Sequence, residues 1–76
     1  MEEYKKSTLR EAEILRDKRL ELSLTQIEVA NMANIQLRQY QRLEYGEFSM
    51  SGTSMKVGLA VCRVLELDPF LFDRLS

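Results

Sequence analysis

Apolar positions recur every three or four residues along most of this chain, and the polar residues between them supply helix starts and stops. In "STLREAEILRDKRLEL", Leu9, Ala12, Leu15 and Leu22 fall on one side at helical spacing, with Arg19 among them. Thr8 and Glu11 have the spacing of a capping box, in which each side chain satisfies a free backbone N–H of the other. Ser23 reads as a stop. "TQIEVANMA" repeats the device with Thr25 and Glu28, and Ile27, Ala30, Met32 and Ala33 supply apolar surface. Asn34 follows, a residue that tolerates the left-handed conformation of a sharp turn. A third helix is expected from about Gln36 to Tyr45, stopped by Gly46. After the turn-rich "EFSMSGTS", a fourth is expected from about Thr53 to Leu65, with Met55, Leu59, Cys62 and Leu65 on one face. Gly58 inside it costs about 1 kcal/mol relative to alanine, and a close helix approach would explain such a glycine. In "LDPFLFDRL", Asp68 suits an N-cap and Pro69 a first helical position. Alternating β-branched runs and Asn-Gly or Asp-Gly turns are lacking. The pattern predicts an all-α fold of five short helices.

Composition narrows the chemistry. A chain of 76 residues is one domain, with no room for a cleft between subdomains. Histidine is absent, which removes the commonest general base and metal ligand. Cys62 is the only cysteine, so neither an internal disulfide nor a cysteine-based zinc site is expected. No nucleophile–base set, phosphate-cradling glycine loop or metal-ligand spacing is found, so the expectation is a protein that is not an enzyme and needs no cofactor. "MEEYKKS" is not a secretory signal, the apolar runs are far short of a membrane span, and a lone thiol fits the reducing cytoplasm.

Eleven basic and twelve acidic residues give a net charge of −1, less basic than is usual for a DNA-binding domain. Residues 1–22 hold six of each sign, residues 23–46 hold Arg38 and Arg42 against Glu28 and Glu44, and the remainder holds three bases and four acids. Any basic face must therefore be assembled by folding.

Two capped helices joined by a tight turn at Ala33–Asn34 form a helix-turn-helix pattern. That geometry frees the outer face of the second helix to enter a major groove. Ile35, Tyr40 and Leu43 share its inward side. Leu37, Arg38, Gln41, Arg42 and Tyr45 lie on the other flank. Arginine and glutamine read guanine and adenine edges with paired hydrogen bonds. The same residues also describe a solvated helix face.

"LRDKRLELSLTQIEVANMANIQLRQYQRLEYGE" resembles the Cro/phage-repressor helix-turn-helix family, also called the XRE family. The likeness continues through "GEFSMSGTSMKVGLAVCRVLELDPFLF" and covers about residues 15–72; separately, residues 1–7 are expected to be a frayed N-terminus. Its specific pieces are "LTQ" before the first motif helix, Val29-Ala30 within it and "LEYG" closing the second. The resemblance implies a five-helix lambda-repressor-like domain that binds double-stranded DNA. It implies that Gln26 binds a phosphate and braces the recognition helix, and that Gln36, Leu37, Arg38, Gln41 and Arg42 face DNA. Of these, Leu37, Arg38 and Arg42 stand at base-edge positions. Ala30 lets the motif helices pack, Arg19 and Glu44 match a pair tying the first helix to the recognition helix, and Ser49 and Ser51 lie in the loop that approaches the backbone. Asn34 stands where glycine is usual, Gln36 where Ser or Thr usually caps, and Tyr40 where a smaller aliphatic residue is usual. The last implies a swollen core or a hydroxyl that reaches the surface.

The expected function is a sequence-specific transcriptional regulator, a repressor acting as a homodimer, in which Phe70, Phe72 and Leu75 supply an apolar dimer face. The alternative is a protein-interaction module on the same scaffold, an antitoxin-like or adaptor protein with a protein partner.

Overall fold

A computed structural model describes residues 6–75, with side chains from residue 8. The helices are α1 (Lys6–Glu21), α2 (Gln26–Ala33), α3 (Leu37–Glu44), α4 (Met55–Leu65) and α5 (Phe70–Leu75). No strand occurs among the described residues. None of their helices is long and apolar enough to cross a membrane. Of the N-terminus expected to fray, residues 1–5 lie outside the described part, and Lys6 and Ser7 already belong to α1.

The helix ends follow from local chemistry. Thr25 and Glu28 form the reciprocal capping box that starts α2, and Ser54 Oγ accepts from Val57 N–H to start α4. Gln36 precedes α3 without a side-chain cap. Asp68 Oδ1 accepts from Phe70 N–H ahead of α5. Thr8 and Glu11 are a correction to the expected box. Both lie inside α1, and the Glu11 carboxylate instead accepts from Met50 N–H at 2.8 Å, tying α1 to the loop before α4. Four helix ends turn through left-handed residues: Ser23, Asn34, Gly46 and Glu66. In each case the next residue's N–H bonds back five residues, to Arg19, Ala30, Arg42 and Cys62 respectively, as in a Schellman motif.

The core runs through Leu15, Val29, Tyr40, Leu43, Val61 and Leu65. α1 packs against α3, α4 and α5, and α2 packs against α3 and α4. α4 turns Val61, Cys62 and Leu65 inward. Met55 and Leu59, expected on one face with Cys62 and Leu65, are exposed while the other two are buried. Lys56 and Arg63, seven residues apart, share the exposed side of α4 opposite Val61 and Leu65, and Met55 and Leu59 lie nearer to that charged side. At Gly58 an added Cβ would meet only Thr53 Cγ2 at 3.5 Å and Met50 O at 3.9 Å, so no close helix approach requires this glycine. In α5, Phe72 is 4% exposed and belongs to the core. Its assignment to a dimer face is therefore corrected. Leu75 is half-buried against the same core, and Phe70 is 70% exposed.

Candidate functional site

α3 has two unlike sides, and the inner one is organised around a buried carboxylate. Glu44 is 6% exposed, and its partners come from three helices. Arg19 of α1 donates from Nε to Oε1 at 2.6 Å and from Nη2 to Oε2 at 3.2 Å. The Tyr40 hydroxyl donates to Oε1 at 3.0 Å, and Gln26 Nε2 of α2 donates to Oε2. The Arg19–Glu44 pair implied by the resemblance is thus formed, with the two-point geometry of a strong charge-assisted contact. The hydrogen bond to Glu44 raises the Arg19 pKa. Burial, followed by the adjacent Glu44 charge, pushes the Tyr40 phenol up. Tyr40 therefore fits without sending its hydroxyl to the surface, because Glu44 accepts from it inside.

Gln26 extends this network. Its Oε1 accepts from Gln41 Nε2 at 3.2 Å and from the Tyr45 hydroxyl at 3.3 Å. Gln26 and Gln41, both named as DNA-facing, thus hold each other and the α2–α3 junction. Leu37 is half-buried and packs against the core.

The outer side presents Gln36, Arg38 and Gln39 to solvent, with Arg42 half-buried beside them. These four line a shallow concavity with Phe48 and with Thr53 and Ser54 at the start of α4. Neither Arg38 nor Arg42 makes a side-chain hydrogen bond or ion pair among the described residues. The Arg42 guanidinium lies over the Phe48 ring, with Cζ 5.2 Å from its centroid. Ser49 and Ser51 sit outside this concavity. Their hydroxyls are 3.3 Å apart, and Ser49 Oγ also accepts from Gly52 N–H, so they shape their own turn.

The structure thus gathers Gln36, Arg38 and Arg42 on one surface, places Gln26 and Gln41 in a brace, and leaves Ser49 and Ser51 apart. Gln39 and Phe48 belong to the outer surface but were missed. Gln39 lies one turn from Gln36 and from Arg42, a spacing that could have found it. Phe48 could not be found that way, because its position depends on how the chain turns at Gly46. Chemically, the surface offers cationic forks and amides that donate and accept in paired fashion. Among the described residues no group of three or more His, Cys, Asp or Glu is placed to hold a metal ion. No protein-family model, curated protein or solved structure matches the chain in the comparisons made.

Proposed function

We propose that this protein is a sequence-specific DNA-binding regulator that lays the outer side of α3 in a major groove. One observation carries the reading: Arg38 and Arg42 line the outer concavity, with donors unpaired among the described residues, on a helix whose inner side is locked to α1 and α2. A reading helix needs both properties, because base discrimination depends on donors held in place by a rigid element. The α2–turn–α3 arrangement is then a helix-turn-helix, consistent with the likeness to the Cro/phage-repressor family, and a lambda-repressor-like fold accommodates all five helices. The open N–H groups at the uncapped start of α3 would take a phosphate. Gln26 would reach a second phosphate with the amide hydrogen that Glu44 leaves unused.

As a homodimer the protein would occupy half-sites about one helical turn, ~34 Å, apart and repress by blocking polymerase. Phe70, with Met55 and Leu59 on the exposed side of α4, would replace Phe72 at the dimer face. Selection from random duplex DNA tests the reading. A palindromic site should be enriched, and Arg38→Ala and Arg42→Ala should each relax one position by about 1–3 kcal/mol. If no sequence is enriched at low salt, or if both variants keep the full preference, the reading fails.

The second reading is a protein-interaction module. Its support is the apolar groove between α4 and α5, where Met55 is 78% exposed beside Phe70. Binding through several phosphates weakens steeply with salt, and binding through that groove would not.

A further inference from the structure

The two outward arginines of α3 differ in one respect: Arg38 is exposed and unsupported, and Arg42 has an aromatic floor. We propose that Phe48 holds Arg42 as a pre-oriented reader of a guanine, so that the Arg42–Phe48 pair, and not Arg42 alone, sets the preference at one base pair. The inference rests on the reading of α3 as the DNA-reading helix and goes beyond it by naming a residue and a base.

The support begins in the backbone. Gly46 adopts a left-handed φ of +79°, where any side chain would be strained, and an added Cβ would also meet Leu9 Cδ2 at 3.0 Å. The turn brings the next two residues back onto α3. The Arg42 carbonyl accepts from Glu47 N–H at 2.9 Å and from Phe48 N–H at 3.1 Å. The residue that Phe48 must support is thus the residue its own backbone is bonded to. Phe48 is 49% exposed, and the Arg42 guanidinium lies over its ring.

A guanidinium has a face and an edge. Phe48 meets the guanidinium from one side with its ring face, and the N–H donors, which lie in the guanidinium plane, have no hydrogen-bond partner among the described residues. Arg19 is the opposite case, with its edge given to Glu44 and to the Leu24 carbonyl. A long side chain normally loses rotamer freedom when it binds, and one already held over an aromatic ring has lost part of it beforehand. Guanine is the base whose major-groove edge presents two acceptors, O6 and N7, matched to this fork.

The test is duplex selection with wild type and with Phe48→Ala, Phe48→Leu, Phe48→Tyr and Arg42→Ala. Arg42→Ala identifies the position Arg42 reads, by abolishing a guanine preference of roughly ten-fold or more. At that position alone, Phe48→Ala and Phe48→Leu should weaken the preference roughly two- to five-fold, and Phe48→Tyr should keep it. Thermal unfolding run in parallel identifies a variant that loses the fold, and the leucine variant retains the apolar bulk if alanine does not suffice. The inference is overturned if both variants keep the wild-type guanine preference, or if they weaken all sequences equally, which would make Arg42 a phosphate contact. If wild type enriches no site, the reading of α3 falls and this inference with it. If wild type enriches a site that ignores Phe48, only this inference falls.

Discussion

Arg19 and Arg42 are both half-buried, yet one has its donors engaged and the other does not. Arg19 gives its in-plane donors to Glu44 and the Leu24 carbonyl and is an internal fastener. Arg42 lies over the Phe48 ring, and its donors have no hydrogen-bond partner among the described residues. The difference comes from what α3 presents on each side. Inward it carries Glu44, an anion needing a partner, and outward it carries no acid. A cation becomes an internal fastener where a buried carboxylate faces it and keeps its donors where none does.

The sharpest way to break this contrast is to remove the inner anion. Glu44→Ala leaves the Arg19 charge, the Tyr40 hydroxyl and the Gln26 amide without their acceptor, and should cost about 3–5 kcal/mol in urea denaturation. A loss below about 1 kcal/mol would mean that the inner network does not hold α3. Tyr40→Phe removes one hydrogen bond and keeps the packing, and should cost roughly 1 kcal/mol by the same measurement.

Glu11 is the natural control, a buried carboxylate that accepts a backbone N–H but has no cation in an ion pair among the described residues. Burial raises its pKa above the ordinary 4.5, and the bond from Met50 only partly offsets this. The folded state therefore holds the proton more tightly than the unfolded state. Its stabilising contribution is complete below about pH 4.5 and is lost as pH rises through the higher folded value. In Glu11→Gln that fall should be absent, and subtracting the two stability-versus-pH curves isolates it. A difference curve that is flat above pH 4.5 would show that burial does not disfavour this charge. The smallest effect is expected on the outer side. Arg38→Ala should change stability by no more than about 0.5 kcal/mol while altering DNA preference, so that stability and recognition separate across one helix.

The sequence disclosed those parts of the molecule whose causes are local. The Thr25–Glu28 box, the left-handed Asn34 and the stop at Gly46 all form where their residue types require. The same Thr-x-x-Glu spacing at Thr8 and Glu11 did not make a box, because α1 starts earlier and the loop before α4 claims the glutamate. The inward side of α3 was read from Tyr40 and Leu43. Its buried glutamate came only through family likeness, since a charged residue carries no periodic signal for burial. Which of Phe70, Phe72 and Leu75 enters the core depends on the rotation of a short helix set by packing against α1, and spacing is silent on that. The same limit concealed that Gln26 and Gln41 bond to each other, because their partnership spans two helices.

The two hydrogen bonds onto the Arg42 carbonyl also act as a ruler on the gene. With Glu47 and Phe48 both counted off from one oxygen, and Met50 pinned to Glu11 two residues later, no codon can be gained or lost between Gly46 and Met50 without displacing the ring or the loop. A change of length between α3 and α4 is therefore expected to be tolerated only after Met50, where it would reshape the Gly52–Ser54 wall of the concavity and leave Phe48 in register.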